Sequence, residues 1–378
     1  MRIAVNTIFL QKDKLEGYGY FVQEIFSRLA KDHPEHEFIF AFDRPFDERF
    51  IFSPNITPII VSPKARQAIS FRYWYDIKLP LALRSFNPDI IVQPYGFCSL
   101  NTNTPQLLVL HDLAFRHYPQ FIPAWHLFYY RFFTPRFLRK ATRIATVSEF
   151  SKNDIIQQYG TAAEKIDVVY SAAKPVFQPA SYEIQQEVKT IHADGKEYFL
   201  FMGGMQPRKN LLNVLKAFSL FKKRQQSNMK LLVAGGSVRH DNRLFEKIKT
   251  YKHREDVVLM DYLPEEELAK ITASAYAMLF PSFFEGFGVP VVEAMQCGVP
   301  VITTEKSSMA EIGTDALLYA DPNNPDTIAQ QMMAVYKDES LRNELIKKGK
   351  SQAAHFSWER SAELLWESIL NAVGQARD

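Results

Sequence analysis

The sequence predicts an α/β protein of two doubly wound domains with parallel sheets, and three observations predict it. Short β-branched runs alternate with longer amphipathic stretches almost from end to end, the pattern of parallel strands joined by helices. The runs lack polar alternation, as strands covered on both faces require. The alternation pauses once, at "SAAKPVFQPASYEIQQEVKTIHADGKE", where Pro175 and Pro179 lead into a polar, charged stretch. That pause divides the chain into a first domain at 1–172, a linker at 173–196, a second domain at 197–355 and a terminal helix at 356–378. A length of 378 residues suits two or three domains rather than one.

In order, the strand candidates of the first half are "RIAVN", "EFIFAF", "TPIIV", "DIIVQ", "LLVLH", "RIATV" and "IDVVY". Those of the second half are "YFLFMG", "KLLVAG", "DVVLM", "YAMLF", "PVITT" and "ALLY". Between them, Asn210–Arg224 and Pro264–Ala275 carry apolar residues at helical spacing. The tail "FSWERSAELLWESILNAV" is a helix with Ser357 as its N-cap. Two such domains leave a cleft between them.

Composition excludes several classes. Only Cys98 and Cys297 are present, so no disulfide framework is indicated and a reducing compartment is expected. The opening "MRIAVNTIFLQKDK" lacks the longer apolar core of a secretory signal, and no run is long enough to span a bilayer. A net charge of +3 gives nucleic-acid binding no support. Basic residues are nonetheless concentrated in "FRHYPQFIPAWHLFYYRFFTPRFLRK", Phe115 to Lys140, which holds five Lys/Arg, many aromatics and no acid. A second basic, aromatic stretch, "PKARQAISFRYWYDIK", lies in the same domain.

The chemistry concentrates in "PSFFEGFGVPVVEAMQCGVPVITTE", where Glu285 and Glu293 are separated by seven residues. "YAMLF" is a strand, and the turn leaving its carboxyl end is where open α/β sheets bind ligands. Glu285 lies in that turn, and Glu293 about one turn inside the helix that starts at Pro290. Gly286 and Gly288 let backbone approach a ligand at a helix N-terminus that favours anions. Carboxylates beside a phosphate site repel it unless aimed at hydroxyl groups, which points to a ligand with phosphate between two polyhydroxy rings. Alternatively, Glu293 is a solvated helix position and Glu285 a turn residue.

Arg208 and Lys209, in "FLFMGGMQPRKNLLNVLKAF", fall at a second helix start after a strand, where two cations can neutralise a diphosphate leaving group. In the first domain His111 and Asp112 follow "LLVL" at another strand's carboxyl end, where a histidine is equally a structural residue. Gly17 and Gly19 form a shortened glycine loop between the first strand and its helix. Ser148, Ser151 and Asp154 are explained by helix capping.

Together these residues resemble the retaining glycosyltransferases of family 4, which have the two-domain GT-B fold. The resemblance runs from the loop at Gly17 to the "FSWE" of the terminal helix, and it implies that this helix crosses back to the first domain. It implies that Glu285 holds the donor sugar's hydroxyls and Glu293 the ribose, while Phe287, Gly288 and Val289 offer backbone N–H groups. Arg208 and Lys209 would clamp the diphosphate, with Gly17 touching it, His111 facing the sugar and Leu263, in "MDYLPEEEL", contacting the base. One departure concerns the arginine that many members carry after the first glycine of the "GG" pair, a place held here by Gly204.

The activity so implied moves a hexose, mannose as leading choice, from GDP-mannose or a UDP-hexose to a glycan or lipid-linked acceptor in surface polysaccharide synthesis. Front-side displacement is expected, with no cofactor and no metal, because no Asp-x-Asp occurs. Cytoplasmic localisation is expected, with weak attachment through the first domain to the inner membrane face. A nucleotide-sugar epimerase of the same fold and a non-catalytic two-lobed sugar-binding protein are the rival readings.

Overall fold

The computed structural model describes residues 1–12, 15, 17–65, 68–204, 206–235, 248 and 250–376. The chain forms two compact units, Met1–Ser171 with Ser357–Asp378, and Ala172–Phe356.

The first unit is built on β1 (Arg2–Asn6), β2 (Glu37–Phe42), β3 (Ile56–Ile60), β4 (Ile90–Gln93), β5 (Gln106–Val109), β6 (Arg143–Thr146) and β7 (Ile166–Val168). Their order is β3-β2-β1-β4-β5-β6-β7, with every pairing parallel. The second unit holds β8 (Tyr198–Met202), β9 (Lys230–Ala234), β10 (Val257–Leu259), β11 (Ala277–Phe280), β12 (Val301–Thr303) and β13 (Leu318–Tyr319). Their order is β10-β9-β8-β11-β12-β13, again all parallel. All thirteen strand candidates are therefore strands, with ends differing by at most two residues. Each sheet reverses its winding once, between β1 and β4 and between β8 and β11. Such a reversal opens a ligand site at the carboxyl ends of the two strands involved.

The strand runs are apolar throughout because they are covered on both faces; β8 and β9 are buried at every residue. In the second unit Phe199, Phe218, Phe221, Leu231 and Ile302 belong to one core. In the first, Leu108, Phe137, Ile144 and Ile155 form another.

Residues 173–196 are not a bare linker. They contain the helix Tyr182–Ala193, N-capped by Ser181, whose hydroxyl accepts from the Ile184 N–H. Val188 and Ala193 are buried, and His192 Nε2 lies 2.8 Å from Glu267 Oε1 of the helix Glu265–Ala273. The stretch looks polar because its outer face is solvated.

The terminal helix Trp358–Gln375 completes the first unit. Ser357 caps it, accepting from Arg360 N, and Trp358, Leu365, Ile369 and Ala372 are buried. It packs on the helix Gly17–Asp32, where Trp358 meets the rings of Tyr20 and Phe21 at 5.8 and 6.2 Å. Arg28 Nη2 pairs with Glu359 at 2.8 Å, and Ser368 Oγ donates to Asp167 at 2.6 Å.

The acid-free segment resolves into Ala114–His117, Pro119–Phe121 and the long helix Ala124–Lys140. That helix has two aromatic faces. Tyr129, Phe133 and Phe137 pack inward with Phe97, whereas Trp125, Phe128 and Phe132 are 58%, 57% and 42% exposed. In the other basic, aromatic stretch Trp74 and Tyr75 are fully buried; its Arg66 and Gln67 lie outside the described residues.

Candidate active site

In the second unit the residues selected from sequence, Leu263 apart, follow β8 and β11, the two strands at the winding reversal. After β8 the chain passes Gly204 and makes a short 3-10 turn, Pro207–Lys209. Arg208 and Lys209 therefore stand in that turn, ahead of the helix Leu211–Gln225 rather than in its first turn. Asn210, at φ +68°, reverses the backbone, and its Nδ2 donates to the carbonyls of Pro281 at 3.0 Å and Pro322 at 2.7 Å. Phe283 N donates to Arg208 O at 2.9 Å. The basic turn is thus bolted to the loop that carries Glu285.

That loop is pinned from the other side by two serines. Glu285 N donates to Ser307 Oγ at 3.2 Å, while Ser308 Oγ reaches the carbonyls of Glu285 and Phe287 at 3.0 and 3.1 Å. Gly288 sits at φ +98°, a conformation that strains any residue with a Cβ, so glycine is favoured at this start to the helix Val289–Gln296. Gly286, Phe287 and Val289 surround this glycine, at the positive end of the helix.

The Glu285 side chain is buried, with Lys209 Nζ 2.8 Å from Oε1 and Arg208 Nη1 3.0 Å from Oε2. Arg208 also donates to the carbonyl of Phe284. Burial pushes the Glu285 carboxyl up, but Lys209 and then Arg208 outweigh it and bring it down to about 2. The carboxylate neutralises both cations. The carboxylate is therefore turned toward the two partly exposed cations, whose charge it balances, rather than away from them as the sequence suggests.

Glu293 behaves in the opposite way. Burial pushes it up to about 7, against the nearby Lys174 ammonium and the Lys174 backbone N–H, and with the help of Glu265. Lys174 Nζ is itself paired with Glu265 at 3.1 Å. One of the paired glutamates is thus held as an anion and the other is poised to exchange a proton near neutrality. Leu263 follows the edge strand β10, is half-buried, and lies beside the exposed Tyr262.

In the first unit His111 follows β5, one strand beyond the reversal at β1 and β4. Its Nε2 lies 3.2 Å from the Pro94 carbonyl oxygen, at the end of β4. A carbonyl only accepts, so Nε2 carries the proton and Nδ1 is left as an acceptor. The rings of Tyr18 and Phe21 cover the imidazole edge-on at 4.6 and 5.1 Å. Burial pulls its pKa down to about 4, against the Pro94 carbonyl and Asp112, so His111 is neutral at pH 7. Asp112 Oδ1 accepts from Ala114 N at 2.9 Å. Ser148 caps the helix Glu149–Tyr159, as its sequence suggests.

Gly17 is exposed at the start of its helix, and a Cβ there would meet nothing within 4 Å, whereas a Cβ at Gly19 would meet Phe9 O at 2.6 Å. Gly19 is the glycine that the packing requires.

Sequence reasoning missed Asn210, Ser307, Ser308, Lys174 and Tyr18. "KSSMAE" holds a capping-type serine before an apolar pair, which could have flagged Ser308. Nothing local in the sequence ties Lys174 to Glu293.

Comparison with known proteins gives concordant results. The family model described as "Glycosyl transferases group 1" matches residues 183–352, and "Glycosyltransferase Family 4" matches 16–174. An O-antigen chain mannosyltransferase B from Escherichia coli is 32% identical over 291 residues, covering 77% of this chain and 76% of that one. An O-antigen chain mannosyltransferase from Salmonella typhimurium is 26% identical over 283 residues, covering 73% and 74%. Among solved structures, Anabaena HepE in complex with UDP and glucose superposes with a TM-score of 0.76 at 15% identity, over 98% of this chain and 99% of that one.

Proposed function

That the chain belongs to the group 1, family 4 glycosyltransferases is the premise from which we propose a specific reaction: transfer of a mannosyl unit, with retention, from GDP-mannose to a growing glycan or lipid-linked saccharide. The observation that carries this reading is the Glu285–Arg208–Lys209 cluster at the carboxyl ends of β8 and β11. Two cations fixed beside a glycine-started helix suit a diphosphate, and the carboxylate they release on binding it suits a sugar's hydroxyls. Mannose is favoured over other hexoses because the 32% and 26% relatives are both mannosyltransferases. A UDP-hexose is the alternative donor.

In the reaction the C1–oxygen bond to the diphosphate breaks as the acceptor oxygen bonds to C1 on the same face, and the acceptor proton passes to a diphosphate oxygen. Arg208 and Lys209 stabilise the charge that grows on the leaving group. Glu285 turns to the sugar, Glu293 accepts from the ribose hydroxyls, and the backbone of 286–289 approaches the phosphates. Gly204 lines the donor path, and Leu263 meets the base. Neutral His111 accepts a sugar hydroxyl at Nδ1. The two cations supply the neutralisation that a metal gives elsewhere, so a chelator is expected to leave turnover unchanged.

A thermal-shift panel of GDP, UDP and ADP sugars, followed by transfer assays and NMR of the product anomer, tests this reading. Stabilisation by GDP-mannose and an α-product from the α-donor are expected. Epimer formation from donor without acceptor would establish the epimerase instead, and absence of both turnover and donor stabilisation would sink the transferase.

The reading extends to place. Among the described residues no helix is long and apolar enough to cross a membrane. The outer face of the Ala124–Lys140 helix nevertheless stacks Trp125 on Phe128 at 5.8 Å and Phe128 on Phe132 at 5.9 Å. The Arg136 guanidinium covers Phe132 at 3.7 Å, and Arg131 and Arg139 are exposed beside them. Aromatics ringed by cations with no acid fit an anionic lipid headgroup layer, with each cation contributing about 1 kcal/mol there. Flotation with anionic vesicles at low salt, lost at high salt and in Trp125→Ser/Phe128→Ser, is the expected outcome. A parent protein that stays soluble at low salt would remove the membrane from the proposal and leave the transferase standing.

A further inference from the structure

The turn between the helix Gly17–Asp32 and β2, "HPEH", brings three metal-binding side chains together. His33 Nδ1 lies 3.6 Å from Glu35 Oε1, and His36 Nε2 lies 3.3 Å from the same oxygen. All three ligand atoms fall within 4.8 Å of one another. A zinc-class ion about 2.1 Å from tetrahedral ligands holds them about 3.4 Å apart, so the two measured edges already have the length such an ion needs.

The frame under these atoms is rigid. His36 N donates to His33 O at 3.1 Å, and Asn55 Nδ2 forks to the carbonyls of His33 and His36 at 3.1 and 2.9 Å. Pro34 fixes one backbone torsion between them. Both imidazoles lie nearly flat on the indole of Trp366 from the terminal helix, with centroids at 3.8 Å for His33 and 5.2 Å for His36. His36 Nδ1 is 3.1 Å from the Met1 nitrogen, which orients the ring and leaves Nε2 on the Glu35 side.

Two imidazoles and one carboxylate form the donor set of borderline divalent ions, and Glu35 is 61% exposed, so an ion can enter from solvent. The turn leads into the amino end of β2, whereas His111 follows the carboxyl end of β5, so the cluster belongs to the edge of the sheet opposite the reaction. We propose that His33, Glu35 and His36 bind one zinc-class divalent ion, which fastens the turn beneath Trp366 and so secures the terminal helix to the first unit. The site is independent of the transferase chemistry and does not rest on the mannosyl reading.

Titration of the tag-free, chelator-treated chain with Zn2+, followed by calorimetry and thermal melting, tests it. Binding of one ion per chain and a rise in melting temperature are expected. Glu35→Gln, on the surface, should weaken binding at least tenfold without altering the metal-free melt, and His33→Gln/His36→Gln should abolish it. Cu2+ or Ni2+ should quench the parent's tryptophan emission, an effect largely absent in Trp366→Phe. No binding by the parent, or equal binding by the parent and the double variant, would overturn the proposal.

Discussion

At the scale of single residues, the two glutamates of one motif are set to opposite protonation habits. Glu285 has a folded pKa of about 2 against an ordinary 4.5, so the stability it contributes is present above 4.5 and lost as pH falls toward 2. Glu285→Gln should therefore melt below the parent at pH 7, by at most about 3 kcal/mol, with the gap closing between pH 4.5 and 2. The same variant should lose transfer while binding GDP more tightly, because Arg208 and Lys209 no longer have an internal counter-charge. Weaker GDP binding by Glu285→Gln in calorimetry would refute that view, and Lys209→Ala should cost the reaction about 2–4 kcal/mol. Glu293, raised to about 7, contributes stability below 4.5 that is lost as pH rises through 7. If ribose hydroxyls donate to it, donor binding at pH 7 must release a proton from the roughly half of the chains that carry one there. Binding enthalpies that vary with buffer ionisation heat in the parent, but not in Glu293→Gln, are the expected signature.

At the scale of elements, Asn210 decides whether the basic turn and the Glu285 loop act as one body. Asn210→Gly keeps the positive φ but loses both carbonyl contacts, and should cost about 1–2 kcal/mol. Asn210→Ala adds backbone strain and should cost about 1 kcal/mol more. Equal stability of the two variants in urea unfolding would show that the conformation of residue 210 does not matter. The elements themselves were legible because strands buried on both faces announce themselves as unbroken apolar runs, and "YAMLF" or "KLLVAG" need no partner to be recognised. What sequence could not supply was pairing at a distance. That Lys209 grips Glu285 across 76 positions, or that Phe133 faces inward while its neighbour Phe132 does not, depends on tertiary packing. The helix at Tyr182–Ala193 was hidden for a related reason: a helix with one solvated face resembles a linker when only its polarity is weighed.

At the scale of the whole molecule, each unit keeps its own sheet and core, and Arg208, Lys209, Glu285 and Glu293, the proposed donor group, all belong to Ala172–Phe356. A fragment spanning residues 172–356 should therefore fold and bind GDP with an affinity within about tenfold of the intact chain, as calorimetry can measure, and should transfer nothing. Residues 1–171 alone should not reach a cooperative fold, since the Gly17–Asp32 helix and strands β4 to β7 would lose the cover of the terminal helix. The interruption of the first unit also sets a schedule during synthesis. The ribosome makes the first unit's sheet early, then the entire second unit, and only afterwards the helix that seals the first. Until that helix emerges, the unfinished half must wait with an apolar seam open to chaperones and to neighbouring nascent chains. Because the Phe21 ring meets both Trp358 and His111, the packing around His111 is completed only when the last helix has been laid down.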